Sequence, residues 1–119
     1  MTKLSEVESF LRLMRVKMRI WQIRFLDDRG KNFQAIGQLE IRPAQRHKII
    51  EELIAEDYSE GPILEKMSGW GEMWVFGKWL NKIEVYIKIT LGSEKDPVIC
   101  ISFHPAEHPM NYPLKKGNK

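Results

Sequence analysis

Two stretches in the last third of the chain alternate so strictly that they leave the fold little freedom. Ile83, Val85, Ile87, Ile89 and Leu91 are separated by Glu84, Tyr86, Lys88 and Thr90. Further on, Ile99, Ile101 and Phe103 are separated by Cys100, Ser102 and His104. Successive side chains of a strand point to opposite faces. Each stretch therefore has an apolar face that must be covered and a face that carries polar groups. Joined around Gly92-Ser93-Glu94-Lys95-Asp96-Pro97, the two read as neighbouring antiparallel strands. Opposed residues then share a face. Pairing Tyr86 with His104 sets Lys88 opposite Ser102 and Thr90 opposite Cys100. A shift of two sets Tyr86 opposite Ser102, with His104 diagonal to it. In both registers a phenol, an ammonium and an imidazole gather on one face, able to exchange protons and hold an anion.

What covers the apolar face comes from the first half. Leu4, Val7, Phe10, Leu11 and Met14 recur at helical spacing. Ser5 with Glu8 forms a capping box, and Thr2 is a second candidate cap. The spacing predicts a helix from about Ser5 to Met14. Val16, Met18 and Ile20 then alternate with Lys17, Arg19 and Trp21, and Ile23 and Phe25 follow on the opposite phase. This predicts a strand near Lys17 to Leu26 with a bulge. Asp27-Asp28-Arg29-Gly30 is a turn signal. Phe33, Ile36 and Leu39 predict a short second helix after Asn32. Pro43 fits a first helical turn, and Ala44, His47, Ile50, Leu53 and Ile54 trace a third helix ending near Glu56. Pro62 stops it, and Gly61 to Gly71 reads as a loop. Met73 to Phe76 reads as a strand that returns near Asn81-Lys82. Helices first and a meander last give an α+β class: N-terminal helices, to about Glu60, packed on an antiparallel sheet from about Glu72 to His104.

Composition narrows the class. A chain of 119 residues with 43% hydrophobic and 29% charged residues suits one globular domain. The net charge of +3 permits contact with nucleic acid without demanding it. The charge is uneven. Arg12, Arg15, Lys17, Arg19, Arg24, Arg29 and Lys31 stand against only Asp27 and Asp28, a run that fits RNA, an acidic partner or a solvated face. The single cysteine, Cys100, cannot form an internal disulfide and suits a reducing compartment. No segment approaches the ~20 apolar residues that span a bilayer, and the first eight residues carry no apolar run like that of a signal peptide. A cytoplasmic location, away from membranes, is expected.

Four segments in order then suggest a family. Glu56-Asp57-Tyr58-Ser59-Glu60-Gly61-Pro62, Met73-Trp74-Val75-Phe76-Gly77, Glu84-Val85-Tyr86-Ile87-Lys88-Ile89 and Ile99-Cys100-Ile101-Ser102-Phe103-His104 together resemble the MqsR (motility quorum-sensing regulator) family of toxins. Upstream, Arg29-Gly30-Lys31-Asn32 and Leu39-Glu40-Ile41 fit the same likeness, which runs from about Arg24 to Tyr112. The resemblance implies a RelE-like toxin fold and metal-independent endoribonuclease activity on messenger RNA, with no small-molecule cofactor. It also implies a cognate antitoxin as partner, in a bacterial type II toxin–antitoxin pair. Tyr86 occupies the family's strand tyrosine, and Lys88 sits in the matching Tyr-Ile-Lys context. Best-studied members carry a lysine where this chain has His104, another where it has Glu60, and a glutamine where it has Val75. The departures imply either a branch with a His- and Glu-based site or a fold kept with altered activity.

RNA cleavage without metal needs a base near the 2′-hydroxyl, an acid near the leaving 5′-oxygen and cations around the phosphorane. The catalytic candidates are His104, Tyr86, Lys88 and Glu60. His104 or Glu60 would exchange the proton, while Lys88 and Arg29 would stabilise the phosphorane. Arg29, Lys31 and Trp74 are candidates for RNA contact, Trp74 by stacking on unpaired bases. Trp74 and Trp79 also fit a core or interface, and Arg29 could instead brace its turn through Asp27 or Asp28. His104, Glu107 and His108 invite a metal-dependent hydrolase, but Pro105 and Pro109 oppose the helix that would align the two imidazoles, and no recognised metal motif is present. Ser102 lacks a nucleophile elbow. The alternative from another class is a non-catalytic module of the same fold that binds RNA or protein.

Overall fold

The computed structural model describes residues 4–26, 30–65, 69 and 71–115. Val7, Phe10, Leu11, Met14, Lys17 and Met18, spaced three and four apart, form the buried stripe of a first helix, α1 (Leu4–Ile20). The strand expected from Lys17 onward does not form there. Met14, Lys17 and Met18 prolong the helical stripe, whereas Val16 and Ile20 point to solvent. Lys17 can lie on the buried side because its ammonium donates to the carbonyls of Leu91 and, at 2.8 Å, Ser93. Only Arg24–Phe25 is extended, as β1.

The second helix, α2 (Gly30–Leu39), begins before Asn32 and turns a different face inward from the one its apolar residues predict. Asn32, Ala35 and Leu39 are buried, while Phe33 is 70% exposed. In α3 (Pro43–Glu51), Pro43 opens the helix, and the Arg42 N–H donates to Gln45 Oε1 at 2.6 Å. It stops about a turn short of Glu56. Arg15 of α1 donates through Nε to the Glu51 carbonyl at 3.0 Å and through Nη2 to that of Leu53, satisfying acceptors at the helix end. A 3-10 turn at Ala55–Asp57 leads into the sheet.

Tyr58–Glu65 is a strand, β2, and it takes in the first residues of the loop expected from Gly61 to Gly71. It pairs antiparallel with β3 (Gly71–Leu80) through register shifts on both sides of Glu60. Pro62 is accommodated because β2 is an edge strand, where a missing N–H costs no ladder bond. Gly61, at φ 127°, brings the backbone against β3; a Cβ there would lie 2.9 Å from the Met73 carbonyl oxygen. A tight turn at Asn81-Lys82, both at positive φ, leads into β4 (Ile83–Thr90), and β5 (Ile99–Pro105) follows.

The sheet order is β1-β5-β4-β3-β2. It is mixed rather than antiparallel, because β1 runs parallel to β5. The molecule is α+β, with one sheet face packed by residues of all three helices. Phe10, Leu11, Met14, Ala35, Leu39 and Ile50 meet Trp74, Phe76, Val85, Ile87, Ile89 and Phe103. Tyr86 pairs with His104 and Lys88 with Ser102, the first of the two expected registers. The ladder then slips. Ile89 faces Cys100 and Thr90 faces Ile99, leaving Ile101 as an extra residue, a β-bulge. The slip overturns the expected Thr90–Cys100 pair and carries Cys100 into the core with Val98. Among the described residues, no helix is long and apolar enough to cross a membrane.

Candidate functional site

The helices take the Val85, Ile87 and Ile89 face of β4, so Tyr86 and Lys88 look the other way. Pairing brings residues of three more strands beside them. Glu60 of β2 opposes Val75 of β3, Val75 opposes Lys88, and Lys88 opposes Ser102 of β5. In the neighbouring row Gly77 opposes Tyr86, which opposes His104. The apolar residue Val75 is fully buried in this floor.

The chain after β5 returns over the same face. The Ala106 N–H donates to the Glu84 carbonyl at 2.8 Å. The Glu84 carboxylate then accepts from the Met110 N–H at 3.2 Å and from the Tyr112 hydroxyl at 2.7 Å. Tyr112 crosses β3 at Gly77, where a Cβ would sit 2.2 Å from the phenolic oxygen. Only glycine lets the segment lie this low. The sheet floor, the start of α2 and residues 107–111 enclose a cleft of about 740 Å³. Tyr86, Lys88, His104, Glu60 and Lys31 all line it. Arg29 lies outside the described residues, as do Asp27 and Asp28.

Trp74 does not reach this cleft. It lies on the helix side of the sheet, 7% exposed, its ring stacked on Phe10 at 4.8 Å between centroids. The basic run is not one continuous interface either. Arg15 holds the end of α3, Lys17 holds the β4–β5 connection, and Lys31 forms an ion pair with Glu107 across the cleft mouth.

Inside the cleft the Tyr86 and His104 rings stack, 5.5 Å between centroids and 16° apart. The Lys88 ammonium lies 5.9 Å from the Tyr86 ring centroid. His104 Nδ1 is 2.9 Å from the Pro105 carbonyl oxygen. A carbonyl only accepts, so a hydrogen bond here places a proton on Nδ1. Burial raises the Tyr86 hydroxyl above the usual phenol range, and the Glu60 and Glu107 carboxylates push it the same way. Tyr86 is therefore a hydrogen-bond donor near neutral pH rather than a base. The hydrogen bond from Lys31 and its charge lower the Glu107 carboxyl, with His104 and His108 adding smaller pulls.

Three site features were not read from the sequence: the buried Asn32 side chain at the cleft wall, Glu107 as the partner of Lys31, and Glu84 as the anchor of the returning segment. Only Glu84 carried a signal, since it alternates in phase with Tyr86. Among the described residues no three His, Cys, Asp or Glu side chains are grouped to hold a metal ion, so His104, Glu107 and His108 do not converge as a metal centre would need. Comparison with protein-family models, curated proteins and solved structures finds no match to this chain.

Proposed function

We propose that this chain is the toxin component of a bacterial type II toxin–antitoxin pair, an endoribonuclease that cleaves messenger RNA without a metal ion. It works in the cytoplasm, is masked by a cognate antitoxin, and has the RelE-like arrangement of helices on one sheet face. The observation that carries this reading is the gathering of Tyr86, Lys88, His104 and Glu60 around one cleft on the open sheet face. The MqsR-like motifs support it from the sequence side.

The strand order suggests the division of labour. Lys88 and Tyr86 are central, on β4, with His104 one strand away on β5 and Glu60 two strands away on β2. A phosphodiester resting on the central pair would have a proton acceptor on one flank and a donor on the other, as in-line displacement requires. The Glu60 carboxylate takes the proton from the 2′-hydroxyl as that oxygen attacks phosphorus. The P–O5′ bond breaks, and His104, protonated at Nε2, gives its proton to the leaving oxygen. The Lys88 ammonium and Tyr86 hydroxyl hold the charge on the non-bridging oxygens. Products are a 2′,3′-cyclic phosphate and a 5′-hydroxyl.

The test is cleavage of end-labelled messenger RNA by purified protein with chelator present, alongside induced expression in a bacterial host. Cleavage with those end groups, together with growth arrest, is expected. His104→Ala and Glu60→Gln should each slow cleavage about 100-fold or more. A substrate with a more acidic leaving group should relieve His104→Ala but not Glu60→Gln. Intact RNA and normal growth at verified soluble expression would overturn the reading.

A further inference from the structure

The outer edge of β5 changes partner halfway along. Its first part is covered by β1, and the last bond of that parallel ladder runs from the Leu26 N–H to the Cys100 carbonyl at 3.2 Å. Beyond it, the Ile101 carbonyl and the Phe103 N–H still point outward, and among the described residues no strand lies alongside. An edge of this kind needs a donor and an acceptor spaced as in a peptide group.

Asn32 supplies both. Its Nδ2 donates to the Ile101 carbonyl at 2.8 Å, and its Oδ1 accepts from the Phe103 N–H at 3.0 Å. The second Nδ2 proton goes to the Leu26 carbonyl at 2.9 Å, where the chain leaves β1. The side chain is 2% exposed, and its carboxamide continues the ladder where the strand stops. The contact falls on the bulge residue Ile101, whose carbonyl would otherwise be buried without a partner.

We infer that Asn32 is a positioning residue for the cleft: its carboxamide fixes where His104 stands relative to Lys31. Phe103 directly precedes His104, and Lys31 directly precedes Asn32, so one side chain ties together the two walls that carry these residues. The role in turnover rests on the ribonuclease reading; the effect on His104 does not. Asn32→Asp separates the two. It keeps the shape and the acceptor for Phe103, removes both donors, and sets a carboxylate oxygen against two carbonyls.

The experiment compares wild type, Asn32→Asp and Asn32→Ser by RNA cleavage kinetics and by NMR of the His104 imidazole, with folding checked by circular dichroism. In folded Asn32→Asp, turnover should fall about 100-fold, the scale of a misplacement near 1 Å, while KM holds. The His104 imidazole signals should shift. Asn32→Ser retains one hydroxyl donor and should lie between. Wild-type turnover, or unmoved His104 signals, in a folded variant would overturn the inference. So would failure of both variants to fold, which would make Asn32 a stability residue only. If wild type leaves RNA intact, the ribonuclease reading falls, and the imidazole signals still decide whether Asn32 sets His104.

Discussion

At the scale of single residues, the cleft depends on Tyr86 remaining protonated. Its stack on His104 would survive Tyr86→Phe, whereas the hydrogen bond that the proposed mechanism gives it to a charged phosphorane would not. Cleavage by that variant is expected to drop about 100-fold, the usual cost of one lost donor at a developing oxyanion, with the fold unchanged. Wild-type turnover in Tyr86→Phe would remove the hydroxyl from the mechanism. A pH effect has the same origin. Burial raises the Tyr86 hydroxyl, and burial with the Glu84 hydrogen bond raises that of Tyr112 further. The folded state thus favours both neutral phenols. The stability they contribute is complete below about pH 10, the unfolded tyrosine value, and is lost as pH rises past it. Melting temperature should decline above that pH, and more gently in Tyr86→Phe and Tyr112→Phe; superimposable profiles would contradict the assignment. The period of two made Tyr86, Lys88 and His104 legible together, since their shared face follows from strand geometry alone. Glu60 was reachable only through motif resemblance, because bulges on either side of it erase any alternation. Trp74 was misread as a contact residue because Met73, Trp74, Val75 and Phe76 are all apolar, and such a run does not say which face meets the helices. Asn32 had no sequence signal, because one of its partners, Ile101, lies 69 positions away.

Among elements, the returning segment is the one that turns a bare sheet face into a cleft, and Gly77 is where it can be tested. The backbone at Gly77 is not in the left-handed region, so Gly77→Ala introduces no strain apart from its collision with Tyr112. The methyl must displace that ring, with an expected loss of about 1–3 kcal/mol, as for other overpacked sites. Tyr112→Ala also destabilises, by losing the bond to Glu84 and the ring's packing. The double variant should be scarcely less stable than Tyr112→Ala alone, because the collision is gone. Denaturant unfolding of the four proteins measures this coupling, and simple additivity would show that Tyr112 does not press on Gly77. The same length scale explains the helix errors. A few residues of Val16-Lys17-Met18-Arg19-Ile20 fit a period of two as well as a period of 3.6. The choice is made by Met14, Lys17 and Met18 joining the stripe of α1, and a buried lysine hides that stripe from any hydrophobicity pattern. In β2, Gly61-Pro62 resembles punctuation; an edge position allows it to remain strand.

Across the whole molecule the sheet separates two charged surfaces. Lys31, Lys88 and His104 belong to the cleft, while Arg12 and Arg19 lie exposed on α1, which packs on the opposite face of the sheet. In sequence the arginines and Lys31 form one basic run, and no reading of spacing could divide it; the division comes from a sheet whose first strand is two residues long and parallel to the last. On the proposed reading, RNA held in the cleft meets few fixed cations among the described residues. With Lys31 and Lys88 as the phosphate contacts, log affinity against log salt should have a slope of about −1.4 for a single strand, from about −0.7 per neutralised phosphate. Glu107→Gln removes the partner of Lys31 and should tighten binding. Arg12→Glu with Arg19→Glu reverses two charges on the far side and should leave affinity at moderate salt and the slope almost unchanged, since screening over about 10 Å isolates the two surfaces. Binding by wild type, Glu107→Gln and the double arginine variant, measured across a salt series, decides the point. If the arginine variant alone weakened binding and flattened the slope, RNA would be engaging the helical side, and the cleft would lose its place as the substrate site.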